Sequence, residues 1–309
     1  MIFWVGITDD DWFEYLSSIK PDEVNFWQPG STPPKKMKPG TLFLFKLHSP
    51  RNYIVGGGFF VRFTTLPLFL AWEALEQKNG VKDYSSFIKI ISTHRKKRKE
   101  STNSGTNIGC NILTQPFFFS EQEWIPIPGN FKLSVQRGKT YDTNEQYGVD
   151  LWDAVKDRLA RIPGMKAEVE DDDYERYGSE YLTRARLGQG SFRILVTDAY
   201  HRRCAVTNEK TLPALEAAHI KDYSQSGPHR TNNGLLLRAD IHRLFDDGYV
   251  TIDPDLKFIV SSRVKEQFEN GKEYYRFDGK KLQNLPESLS EMPCEEFIRW
   301  HNEQRYERI

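Results

Sequence analysis

Residues 212–248, LPALEAAHIKDYSQSGPHRTNNGLLLRADIHRLFDDG, hold most of the residues in this chain that could do chemistry. Three of the seven histidines, His219, His229 and His242, fall within 24 residues of one another, with Asn233 between them and Asp246 just beyond. His242 and Asp246 are four apart, so a helix puts them on one face. An imidazole and a carboxylate there, opposite a strand-borne His219, suit a hard or borderline divalent ion. Phosphodiester hydrolysis asks three things of such a site. A water must lose a proton, and an imidazole with an ordinary pKa of about 6.5 is matched to that. Charge on the phosphate and the leaving oxygen must be neutralised, which a metal ion does. The base must be held in one orientation, which Asn233 can do through its side chain or nearby backbone.

The elements that must position these groups are legible from the pattern. Residues 212–220 read as a strand ending in His219, followed by a loop with Gly227-Pro228-His229. Asn233-Gly234 turns the chain into a short strand at 235–237. Residues 239–246 read as a helix, with Gly248 just past its end. The unit is therefore strand, strand, helix. A helix from about 190 to 200 leads in. Beyond the unit, residues 249–252 and 258–261 flank Asp253-Pro254-Asp255-Leu256 and predict a hairpin. Residues 293–306 read as a last helix.

The combination of AHI, NGLLL and HRLFDDG resembles the HNH nuclease family, the ββα-metal fold of colicin nucleases and many restriction enzymes. The resemblance implies His219 as general base, Asn233 as its positioner and His242 as a metal ligand. Asp246 matches the position four residues on, where another ligand usually sits. The residue before the base is often a further ligand, as Asp or His. Here it is Ala218, a departure. Glu216 shares a strand face with Ala218 because side chains alternate with period two, which makes it the substitute ligand to test. His229 is expected in the loop or on a DNA phosphate. The expected ion is Mg²⁺, with Mn²⁺, Ni²⁺ or Zn²⁺ as alternatives. Family members often add a zinc held by paired cysteines; Cys204 alone cannot do that, so no structural zinc is expected. Arg186-Leu187-Gly188-Gln189-Gly190-Ser191-Phe192-Arg193 resembles the lead-in of restriction-type HNH domains. Arg186, Gln189 and Arg193 are candidates for DNA phosphate contact, with packing inside the fold equally open for Arg193.

Upstream, residues 1–8 read as a strand. Thr8 or Asp9 is placed to cap a helix DDWFEYLSS with Trp12, Tyr15 and Leu16 on one face. Strands are expected at 42–47, at 53–63 and within 108–119, with helices at 68–78 and 84–98. Gly56-Gly57-Gly58 marks a bulge or a close backbone approach. Phe26-Trp27-Gln28-Pro29, the Lys38-Pro39-Gly40 turn into 41–46, and Ile54-Val55-Gly56-Gly57 together resemble the PUA-like superfamily, including its EVE and ASCH branches. The resemblance covers about residues 1–150 and implies a small β-barrel that binds nucleic acid, in several branches with a flipped base in an aromatic pocket. Aromatic faces offset the cost of unstacking a base. Trp27, Phe26 and Trp4 are the candidate pocket wall, against the alternative that they are core. The basic run His94-Arg95-Lys96-Lys97-Arg98-Lys99 is either a solvated helix end or a phosphate contact through Arg95, Lys96 and Lys97.

The fold class expected is α+β: a PUA-like β-barrel reader with short helices over 1–147, a helix and acidic linker over 148–183, and a ββα-metal nuclease domain over 184–309. Charged residues make up 28% and hydrophobic ones 38%, as in soluble globular chains. Net charge is zero, so any basic face is local. No apolar run approaches a membrane span, and the N-terminus lacks a basic region of signal-peptide type. The three scattered cysteines fit reduced thiols. The chain reads as a cytoplasmic, metal-dependent endonuclease acting on double-stranded DNA, a modification-dependent restriction enzyme of phage defence. A homodimer is attractive because one site must cut two strands. Two alternatives stand beside this: a nuclease reading an unmodified sequence, and an inactive nucleic-acid-binding module.

Overall fold

The computed structural model describes residues 1–30, 32–33, 37–97, 107–162 and 187–306. The chain divides into two compact units, Met1–Arg186 and Leu187–Ile309. The architecture is mixed α+β. No helix among the described residues is long and apolar enough to cross a membrane.

In the first unit, β1 (Ile2–Thr8), α1 (Asp10–Ile19), β2 (Glu23–Gln28), β3 (Leu42–Leu47) and β4 (Tyr53–Pro67) are followed by α2 (Leu68–Leu75) and α3 (Tyr84–Lys97). Next come β5 (Asn107–Phe118), β6 (Ile125–Pro126), β7 (Gly138–Asp142) and α4 (Gln146–Leu159). The sheet runs β2-β5-β4-β3-β1-β7, with β6 added on β4. β1 and β3 are parallel; the other pairs are antiparallel.

β3 is apolar almost throughout because both of its faces are covered. Leu42 and Leu44 join one cluster with Phe3, Val5 and Ile54. Phe43 and Phe45 join the other with Val24 and Val55. α1 covers the second cluster with Trp12, Phe13 and Leu16, and α4 covers the first with Leu151, Trp152 and Val155. Each large side chain buried this way contributes about 1.5–3 kcal/mol.

Two expectations change here. The β-barrel is not formed: among the described residues β2 and β7 end the strand order, and the sheet is open. Pro-Gly turns and glycine runs specify local strand geometry, whereas closure depends on pairing between the sheet's first and last strands, which no local motif encodes. The glycine run does produce a bulge, at Gly57/Phe59, and a Cβ on Gly56 would lie 2.2 Å from the Phe117 carbonyl. Asp9 stands at the N-cap of α1 without capping it. Its carboxylate faces His94 at 3.1 Å and His48 at 3.4 Å instead.

In the second unit, α5 (Gln189–Ala199) precedes β8 (Leu215–His219), β9 (Gly234–Arg238) and α6 (Ala239–Asp246). The hairpin β10 (Val250–Ile252) and β11 (Phe258–Val260) follows, then α7 (Arg263–Phe268), α8 (Lys272–Tyr275) and α9 (Glu295–Gln304). The strand expected over 212–220 starts later, because Leu212–Ala214 forms a 3₁₀ turn around Pro213. One core gathers Phe192, Val196, Leu215, Ala218, Leu235, Leu236, Leu237, Ile241, Phe245 and Ile298. His301 on α9 is buried in it, 2.8 Å from the Thr251 hydroxyl and 3.0 Å from the Phe245 carbonyl. That buried pair of contacts ties the last helix to the end of α6.

Candidate active site

β8 and β9 pair antiparallel, with His219 opposite Gly234 and Ala218 opposite Leu235. The close approach of α5 explains Gly234: a Cβ there would lie 2.3 Å from Val196 Cγ2 and 3.1 Å from the Phe192 ring. The buried Tyr200 hydroxyl donates to the Gly234 carbonyl at 3.1 Å. α6 starts directly after β9 and turns Ile241 and Phe245 into the core. The residues that follow each of them, His242 and Asp246, are thereby placed on its flank.

Asn233 is fully buried and locks the loop after β8. Its Nδ2 donates to the carbonyls of Lys221 at 2.9 Å and Pro228 at 3.0 Å, and its Oδ1 accepts from the Lys221 amide at 2.8 Å. Its backbone carbonyl accepts from Ile220, the residue after His219. The His219 ring lies flat on Phe192, with centroids 3.8 Å apart and 12° between planes. Its Nε2 is 2.9 Å from Nδ1 of His229. His229 in turn stacks on Tyr223 at 4.2 Å. Burial, followed by the neighbouring His229 and His242, brings the His219 pKa down to about 4. The ring is therefore neutral, with a lone pair available, at ordinary pH.

Glu216, His242 and Asp246 converge beside it. Glu216 Oε2 lies 2.6 Å from His242 Nδ1, and Asp246 Oδ2 lies 3.3 Å from His242 Nε2. Two carboxylates from different elements flank one imidazole. Burial raises the Asp246 pKa, with His242 pulling against it. These positions sit inside a recognisable sequence unit, since residues 204–253 match the HNH endonuclease family model. Residues 204–253 form an HNH endonuclease domain. The chain is thus an enzyme of nuclease type. No curated protein matches the sequence. Among solved structures it is similar to a modification dependent TagI restriction endonuclease, at 13% identity over 92% of this chain and 75% of that one, with a TM-score of 0.27. That score is too low to assign a fold.

HNH endonucleases generally use a divalent metal. Glu216, His242 and Asp246 offer a donor set of the right chemistry, one imidazole and two carboxylates. Their present contacts are with one another, and among the described residues no three His, Cys, Asp or Glu side chains are spaced as a ready metal cage. Two carboxylates on one imidazole are a donor set whose negative charge a cation would balance. Ala218 is fully buried against the core, and Cys204 is a buried free thiol.

The other expected contact residues are dispersed. Gln189 is exposed and Arg193 half-buried on α5, while Arg186 lies outside the described residues. In the first unit, Arg95 donates to the Asn107 carbonyl at 2.6 Å and Lys96 is exposed. Trp27 donates its indole N–H to the Asn79 carbonyl at 2.9 Å and lies against Phe87 and His94. Phe26 contacts Trp12, Phe43 and Phe45, and Trp4 packs against that same aromatic cluster. Ring contacts thus direct Phe26 and Trp27 to different neighbours, as adjacent strand residues should be. Sequence spacing did not reveal the aromatic supports Phe192 and Tyr223, because stacking partners carry no fixed offset from the base.

Proposed function

We propose that this chain is a metal-dependent DNA endonuclease of restriction type, cutting through its HNH domain after the first unit has selected the DNA. The observation that carries the reading is the convergence, within one strand-strand-helix unit, of a neutral, half-buried His219 with Glu216, His242 and Asp246. His219 takes the proton of the attacking water. Asn233 keeps the loop beside it closed through three hydrogen bonds. Glu216, His242 and Asp246 would hold the ion, for which Mg²⁺ fits the oxygen-rich set best. The bound cation supplies charge neutralisation on the phosphate and the leaving oxygen. Arg186, Gln189, Arg193 and the basic end of α3 at Arg95, Lys96 and Lys97 are assigned to DNA phosphates.

The first unit is assigned to DNA reading as a PUA-like domain, with a modified base held near Trp27, Phe26 and Trp4. Such selectivity fits a cytoplasmic role against phage DNA, and two copies would let single sites cut both strands. A second reading is favoured by one observation: Trp27, Phe26 and Trp4 are already engaged with protein neighbours. On that reading the nuclease recognises an unmodified sequence. Digestion of modified and unmodified copies of one DNA, with and without chelator, separates them. Preferential cutting of the modified copy supports the first reading; equal cutting removes it.

A further inference from the structure

His219 and His229 come from different segments, yet their ring nitrogens Nε2 and Nδ1 meet at 2.9 Å. Each ring is clamped on one face. Phe192 lies 12° from parallel to His219, and Tyr223 lies 14° from parallel to His229. The loop that carries His229 is fixed immediately before it, where Asn233 donates to the Pro228 carbonyl. Only one proton fits between two neutral imidazoles in hydrogen-bond contact. Whichever ring supplies it, Nε2 of His219 is occupied. Its Nδ1 has no hydrogen-bond partner among the described residues, and the residue is only half-buried.

We propose that His229 is the positioning residue of the general base: its Nδ1 accepts the Nε2–H of His219 and fixes the tautomer whose Nδ1 lone pair faces water. The proposal rests on the nuclease reading and goes beyond it, because it replaces a phosphate contact at His229 with a role in setting up the base. In the step, the water O–H bond breaks and its proton bonds to Nδ1 of His219. The water oxygen keeps the electron pair and bonds to phosphorus. The bond from phosphorus to the leaving oxygen breaks with its pair, and that oxygen takes a proton from solvent. His219 then carries two N–H bonds, and Nε2–H stays on His229, which shares the positive charge. Among the described residues, His242 on α6 and the Tyr223 ring in the loop act on the pair.

The test combines kinetics with ring ¹⁵N spectra of the full chain. H229F keeps a ring against Tyr223 and removes the acceptor; H229N puts an amide oxygen near the place of Nδ1. The His219 signals are assigned by their loss in H219Q. The expected wild-type spectrum has the His219 proton on Nε2. H229F is expected to lower kcat by about 10–100-fold with KM unchanged, and H229N to restore most of the loss. A wild-type His219 protonated on Nδ1 would overturn the proposal. So would an H229F enzyme that keeps its kcat and loses salt-sensitive DNA affinity, the mark of a phosphate contact. If H229F melts early, the wild-type spectrum and the H229N kinetics decide. A wild type that cleaves no DNA with any divalent metal sinks the nuclease reading instead, and the spectrum still reports the His219–His229 bond.

Discussion

At the scale of residues, the proposed site separates a base, His219, from a metal-ligand set. His219 is half-buried, stacked on Phe192, and its pKa is held at about 4, whereas Glu216, His242 and Asp246 face one another beside α6. A base neutral down to that pH predicts a cleavage rate that stays level as pH falls through 6.5 and is lost closer to 4. A rate–pH profile at saturating metal checks this, and a half-loss near 6.5 would contradict it. Glu216 fills the role left open at Ala218 only if it binds the ion. Glu216→Gln is therefore expected to weaken metal affinity by about 10–100-fold, measured by calorimetry with Mn²⁺. Unchanged affinity would remove Glu216 from the ligand set.

At the scale of elements, the strand-strand-helix unit is where sequence and structure agree most closely. β9 and α6 occupy 234–238 and 239–246, against readings of 235–237 and 239–246. Local signals suffice there: Asn-Gly, an apolar run and a helix beginning without a loop. The expected role of Asn233 was orientation of the base, and its side chain bonds are made to the loop at Lys221 and Pro228. That contact depends on how the loop folds back, which spacing alone does not encode. Asn233→Ala would leave buried backbone groups unpaired and is expected to cost about 1–3 kcal/mol in chemical denaturation. Gly234→Ala would push a Cβ against Val196 and Phe192, costing about 1–3 kcal/mol. In the first unit the strands and the glycine bulge were legible, but the barrel was not a consequence of them, because closure joins strands distant in sequence.

At the scale of the whole molecule, the buried His301 and the half-buried His219 link stability to pH. His219 and His301 both have pKa values lowered to about 4 from 6.5, chiefly by burial. Between these values the unfolded chain binds more protons than the folded one, so stability is full above about 6.5 and is lost as pH falls toward 4. For the buried His301, a shift of 6.5 minus 4 at about 1.4 kcal/mol per unit gives roughly 3–4 kcal/mol, and the half-buried His219 contributes less because solvent screens it. Denaturation of the full chain at pH 7 and pH 4.5 should show the fall, and His301→Gln should flatten it. The central claim is narrower: this HNH domain cuts DNA with His219 as its base. The most direct measurement is plasmid cleavage by the wild type and by His219→Ala, with Mg²⁺ or Mn²⁺ and with chelator. Metal-dependent cutting by the wild type and a loss of about 10²–10⁴-fold in H219A is the predicted result. Cleavage by H219A at the wild-type rate, or none by the wild type with any divalent metal, would contradict it.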